Sequence, residues 1–215
     1  MRLFLSSYRN SNRPDELLRL VGSGRKTALI SNAIDLGLED PHRREASMAD
    51  ETIRLRSIGL EPHDIDLRDY FGTPEALRET LPSFPLVWVR GGNTFVLRRA
   101  MHLSGFDVIV KELLAQDALT YGGYSAGVCV LAPSLSGLET CDEPEPVPPG
   151  YPPDTIWEGL GLLPYAVVPH YRSDHHESAM MEDTVAHNID HHIPFIALRD
   201  GEAIVIDDAG MKIVA

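Results

Sequence analysis

The 215-residue chain is long enough to bury a substantial core, and 43% hydrophobic with 24% charged residues is the composition of an ordinary globular protein. Nineteen basic against thirty-two acidic residues leave a net charge of −13, which repels phosphates and anionic surfaces and argues against nucleic acid and membrane as partners. No run approaches the roughly 20 apolar residues of a membrane span, the first apolar stretch is too short for a signal-peptide core, and two cysteines, Cys129 and Cys141, suit a reducing cytoplasm.

Short apolar runs alternate with helical patterns, so the expected architecture is one α/β domain over residues 1–215, with a mainly parallel sheet and helices on both faces. Arg2 to Leu5 and Lys26 to Ile30 read as strands, and between them Pro14 to Val21 reads as a helix with proline near its start. From Glu45 to Ile58, Met48, Thr52, Leu55 and Ile58 recur at helical spacing. His63 to Leu67 is expected as a strand, Pro74 to Thr80 as a short helix, and Leu86 to Val89 as a strand ending at "RGGN". Helices fit Thr94 to Met101 and Phe106 to Gln116, and the strand Leu119 to Tyr121 follows. Ser134 to Trp157, rich in proline, glycine and acids, is expected as a long loop of the kind that often carries function. Beyond it come "LLPYAVVPHY", a buried strand ending at His170, and a helix around Glu177 to His187. The runs Phe195 to Leu198, Ala203 to Ile206 and Met211 to Val214 close the chain, the last two as a hairpin across Asp207-Asp208.

The stretch "TYGGYSAGVCVLAP" sets Ser125 between small residues, after one apolar run and before another. Either the glycines make a tight turn and the serine caps a helix, or Gly123 to Gly127 is a GxSxG elbow that thrusts a nucleophile out at the end of a sheet. Such a serine needs a base. Of nine histidines only His170 ends a convincing apolar strand, where the active crevice of an open parallel sheet lies, although a structural histidine could also sit there. His175, His176, His187, His191 and His192 suit a solvated polar face better than a metal site, because no acidic or cysteine ligand pattern accompanies them. Gly91 and Gly92 in "VWVRGGNTF" do not form GxGxxG, so a dinucleotide has little support. The Gly92 and Ala126 amides could instead form an oxyanion hole, though an ordinary turn would look the same.

Taken together, GGNTF, GYSAG and GLGLLPYAVVPHY, in that order, resemble the peptidase E family of serine peptidases. The resemblance runs from the first strand to about Glu177. It implies a flavodoxin-like, doubly wound sheet similar to the class I glutamine amidotransferase-like fold. It also implies a Ser125 nucleophile, a His170 base and an oxyanion hole at Gly92 and Ala126 with Asn93 close by. The expected activity is hydrolysis of small peptides through an acyl-enzyme, without metal or cofactor, by a monomer or homodimer. The family's acid lies between serine and histidine, shortly before a proline, which favours Asp142 two residues before Pro144, with Glu139 second. The rivals are an amidotransferase-like binding or regulatory protein whose elbow does not turn over, and an esterase for small acyl esters. An α/β-hydrolase normally puts more chain between serine and histidine than the 45 positions found here.

Peptidase E proper cleaves Asp-X dipeptides and holds the acidic side chain with an arginine just beyond a glutamate that follows the histidine. The corresponding stretch here is "DHHESAMMED", with Ala179 at that place. Arg172 is the remaining candidate for substrate binding on this segment. The expectation is therefore that neutral or basic dipeptides are cleaved at least as well as Asp-X.

Overall fold

Strands that are apolar on both faces need helices on both sides of their sheet. The computed structural model, which describes residues 1–39 and 41–215, has that layering. Its strands are β1 (Arg2–Ser6), β2 (Lys26–Ile30), β3 (Glu61–Asp64), β4 (Leu86–Val89), β5 (Thr120–Tyr124), β6 (Ala166–Val168), β7 (Phe195–Ala197), β8 (Ala203–Asp207) and β9 (Gly210–Val214). The α-helices are α1 (Pro14–Val21), α2 (Pro41–Ser57), α3 (Pro74–Thr80), α4 (Thr94–Leu103), α5 (Phe106–Ala115), α6 (Ala126–Cys129) and α7 (Ser178–Asp190). The main sheet runs β3-β2-β4-β5-β1-β8-β9. It is parallel from β3 to β1, and β8 and β9 add the expected antiparallel hairpin. This is the mainly parallel, flavodoxin-like α/β architecture expected from the sequence.

Period-two alternation decides which core each strand residue joins. Leu3, Leu5, Val87 and Val89 pack on one face with Val96, Leu97 and Ile109 of α4 and α5. Phe4, Leu29 and Trp88 pack on the other with Leu17 and Leu20 of α1 and Leu55 of α2. Each such side chain, fully buried, contributes about 1.5–3 kcal/mol.

β3, β5 and β6 depart from expectation, and α2 starts at Pro41 rather than Glu45. β3 starts at Glu61 rather than His63, and it tolerates Pro62 because it is an edge strand with one free ladder side. β5 extends to Tyr124, so the strand delivers its direction right up to Ser125. "LLPYAVVPHY" forms strand only over Ala166–Val168, and β6 leaves the main sheet to pair in parallel with β7.

The long loop after α6 is tied down by α4. Arg99, fully buried, donates to the carbonyls of Pro144 at 2.7 Å and Asp154 at 2.9 Å, and Arg98 donates to the carbonyl of Glu158 at 2.8 Å. Tyr151 adds a 2.5 Å hydrogen bond to buried Asp35. The arginine bonds satisfy carbonyls that an irregular segment would otherwise leave unpaired.

Candidate active site

Ser125 stands at the C-terminal end of β5 with φ +50° and ψ −121°, a conformation that L residues rarely adopt and that costs of order 1–3 kcal/mol. Packing enforces it. A Cβ on Gly123 would come within 2.5 Å of the Val89 carbonyl oxygen, and one on Gly127 would collide with the same atom. The elbow therefore sits against the end of β4 only because both flanking residues are glycine. Tyr121 donates to the Gly127 carbonyl at 2.6 Å and holds the turn from inside the sheet. Ser125 N–H in turn donates to the Ser7 carbonyl, at 3.2 Å, at the end of β1.

His170 follows β6 by two residues, and its own φ is +57°. Because β6 and β7 are parallel neighbours, the residues that follow them emerge at the same edge. This brings Asp200, after β7, to His170, with Nδ1 and Oδ1 2.7 Å apart. With Asp200 Oδ1 as the acceptor, the proton sits on Nδ1 and Nε2 is left as an acceptor. Ser7 completes the frame. Its hydroxyl accepts from the His170 N–H at 2.8 Å and donates to Asp200 Oδ1 at 2.8 Å, while the Ser173 hydroxyl accepts from Asp200 N–H at 2.8 Å. One fully buried serine thus contacts the backbones of Ser125 and His170 and the Asp200 carboxylate.

The structure separates the other expected site residues. Asp142 is engaged elsewhere: its Oδ2 accepts from Thr94 N–H at 2.8 Å at the first turn of α4. Burial raises its carboxyl to about 6, with the Glu177 charge adding to the rise, despite the Thr94 hydrogen bonds that lower it. Glu139 accepts from Gly137 N–H at 2.6 Å within its own turn. Asn93 caps α4 through Val96 N–H at 2.9 Å and donates to the Glu143 carbonyl at 2.9 Å, so both ends of its amide are occupied. Arg172 lies outside the cavity, exposed, with Nε 3.2 Å from Glu182. The expectation of Asp142 or Glu139 as the partner of His170, and of Asn93 and Arg172 as substrate contacts, therefore gives way to this geometry.

Gly92 lies in the turn that leads from β4 into α4. It has φ +144°, and a Cβ there would strike the Ala33 carbonyl oxygen, so only glycine lets β4 turn so close to the chain after β2. A Cβ on Gly91 would lie 2.8 Å from that of Ser125, which puts this turn directly beside the nucleophile. Among the described residues neither Gly92 N–H nor Ala126 N–H, the first of α6, donates a hydrogen bond. Gly92 lines the cavity beside Ser125, and Ala126 follows Ser125 at the start of α6.

Ser125, Gly91, Gly92 and His170 share the wall of a cavity of about 450 Å³. His175 stacks on His170 at 3.7 Å and an interplanar angle of 7°, fixing its ring plane, and Tyr8 meets it edge-on. Burial, and then the neighbouring His170, lower the His175 pKa, which keeps the stacked ring neutral. Glu177 Oε2 lies 3.7 Å from His170 Nε2. His170, His175 and Glu177 bring possible ligand atoms within 4.8 Å of one another. However, His170 Nδ1 is held by Asp200, His175 Nδ1 accepts from Glu177 N–H at 3.2 Å, and parallel rings keep their lone pairs in separate planes. That arrangement suits stacking, not a shared ion.

The order of elements, the strained serine and the histidine after a short parallel strand agree with a comparison against known families, in which the model of peptidase family S51 matches residues 10–214. The chain belongs to peptidase family S51. Its S51 relatives include peptidase E of Streptomyces coelicolor, 32% identical over 162 residues, a match covering 73% of this chain and 62% of that one. A Drosophila melanogaster protein named "Probable alpha-aspartyl dipeptidase" is 31% identical over 153 residues, covering 67% of this chain and 59% of that one. The matched segments thus span only about 59–62% of these relatives' length. The crystal structure of a candidate peptidase E from Listeria monocytogenes EGD-e superposes with a TM-score of 0.76 at 22% identity, covering 99% of this chain and 97% of that one. That of a peptidase from an acI-B1 Actinobacterium gives 0.69 at 17% identity, covering 100% of this chain and 87% of that one. At such identities the two structures speak for the S51 fold. No helix among the described residues is long and apolar enough to cross a membrane.

Sequence reasoning missed Asp200 and Ser7. The signal for Asp200 was present, since "LRDG" puts an acid directly after the short apolar run Phe195 to Leu198, as Pro169-His170 follows its own run. What the sequence did not show is that these two runs are neighbours.

Proposed function

We propose that this chain is a serine peptidase that hydrolyses small peptides, with Ser125 as nucleophile, His170 as general base and Asp200 as the acid that orients it. The observation that carries the reading is the 2.7 Å contact between Asp200 and His170, on the wall of the cavity that also holds the strained Ser125. In the reaction His170 Nε2 takes the Ser125 hydroxyl proton as Oγ bonds to the scissile carbonyl carbon. The resulting oxyanion is held by the Gly92 and Ala126 N–H groups, each such donor contributing about 3 kcal/mol to lowering the barrier. His170 then returns the proton to the leaving amine, and the C–N bond breaks to give an acyl-enzyme. A water, deprotonated by the same Nε2, releases the acid and restores Ser125. Asp200 stays ionised and stabilises the imidazolium formed at each transfer.

The relatives' names, peptidase E and alpha-aspartyl dipeptidase, support a dipeptide-sized substrate, and so does the size of the cavity. Two unpaired cysteines support a reducing, cytoplasmic location. A fluorophosphonate probe tests the reading, because only an activated serine is labelled. Labelling at Ser125, abolished in Ser125→Ala and in His170→Ala, is the expected result. An unlabelled protein would identify the chain as a binding protein built on the same fold.

A further inference from the structure

We propose that Arg90 is an anion-binding residue of the cavity and takes a carboxylate carried by the peptide substrate. This rests on the peptidase reading above and names the substrate chemistry that it leaves open. Arg90 follows the last residue of β4 and immediately precedes Gly91, whose backbone packs against Ser125. Its side chain lines the cavity. The one hydrogen bond it makes among the described residues runs from Nη1 to the Ser47 carbonyl at 3.3 Å, at the long end of the range. Its Nε is buried without a partner. No described carboxylate lies within the 4.0 Å of an ion pair.

Arg54 also has a buried Nε without a partner, but unlike Arg90 it has counter-ions. Arg54, on the same wall, lies 3.1 Å from Asp50 and 3.2 Å from Glu51. Glu51, 1% exposed, is fully engaged, accepting from Trp88 Nε1 at 2.8 Å and Tyr124 OH at 3.0 Å as well. Arg90 is partly buried, and a partly desolvated cation without a counter-ion gains by pairing with an anion. The guanidinium fork matches the two oxygens of a carboxylate. The segment after His170 offers no substitute, since Arg172 lies outside the cavity with Glu182. The expectation of neutral or basic dipeptides rests on the missing arginine after His170; Arg9, Arg54 and Arg90 line the cavity from other segments, and Asp50 and Glu177 line it as well.

The carboxylate can be an acidic side chain or the substrate's C-terminus, and four peptides separate these sources: Asp-Leu, Asp-Leu amide, Ala-Leu and Ala-Leu amide. The expected result is that Arg90→Gln lowers the kcat/KM ratio of charged to uncharged peptides by about tenfold to a hundredfold, the range for a charge-assisted hydrogen bond. Arg90→Lys should fall between, and serves if the glutamine variant does not fold. Loss with both Asp peptides identifies the side chain. Loss with both free-acid peptides identifies the C-terminus. Calorimetric binding of Asp-Leu to Ser125→Ala, with and without Arg90→Gln, separates the two levels of the argument. If no peptide is hydrolysed but Asp-Leu binds tenfold more weakly without Arg90, the peptidase reading fails and the anion site stands. Unchanged ratios among the four peptides together with unchanged Asp-Leu binding overturn the proposal.

Discussion

Asp200→Asn, set beside Asp142→Asn, is the sharpest test of the site. Asp200 touches His170 Nδ1 at 2.7 Å and is 22% exposed, so during catalysis it faces an imidazolium with its charge centre roughly 4 Å away. At an effective dielectric near 20 that attraction is about 4 kcal/mol, and at 1.36 kcal/mol per decade its loss corresponds to about a thousandfold in rate. An amide N–H turned toward Nδ1 would add the penalty of the wrong tautomer. Asp142→Asn removes a carboxylate that meets only the Thr94 N–H, and an asparagine oxygen accepts that bond equally well. Steady-state kcat on an active peptide, with the rate of fluorophosphonate labelling as a substrate-independent measure, should therefore collapse in Asp200→Asn and stay near wild type in Asp142→Asn. The reverse ranking would refute the assignment and return the role to the loop between serine and histidine.

Ser125→Ala and His170→Ala should each remove nearly all peptide turnover while retaining the thermal transition, because nucleophile and base act as one unit; a variant with near-native kcat would disprove the pairing. Ser7→Ala leaves the His170 N–H without its buried acceptor and Asp200 with one donor fewer, so it should cost about 2 kcal/mol of stability, lower Tm by roughly 4–8 °C and reduce kcat more than it raises KM. Calorimetry and kinetics matching wild type would show that the hydroxyl positions nothing. Asp142, raised from 3.8 to about 6, binds more protons folded than unfolded between those values, so its contribution to stability falls as pH rises through that window. Asp142→Asn should gain up to about 3 kcal/mol on wild type between pH 4 and pH 7.5, and a difference in Tm independent of pH would contradict the buried-carboxyl account. Gly127→Ala drives a methyl into the Val89 carbonyl and should yield little folded protein, which circular dichroism would report.

The sequence by itself determined whatever depends on short-range pattern. Apolar runs of four or five residues punctuated by glycine and proline placed β1, β2 and β4 within a residue or so, because burial on both faces favours an extended strand, and the Asp207-Asp208 turn placed the terminal hairpin. The elbow glycines and the strand-end histidine were legible for a related reason: a backbone pressed against a neighbouring carbonyl admits only glycine, so the constraint is written at the residue itself. Tertiary structure alone decided which carboxylate meets His170 and which cation faces the cavity. Asp142 is nearer to His170 in sequence than Asp200 is and precedes a proline, yet α4 takes it as a cap, and the pairing of β6 with β7 brings Asp200 to His170 across a sequence separation of 30. Arg90 is similar, an ordinary arginine at a strand end whose lack of a carboxylate partner among the described residues shows only in three dimensions. Such pairings depend on which strands lie side by side. That adjacency is fixed by the global burial of apolar faces and leaves no mark in the residues that it brings together.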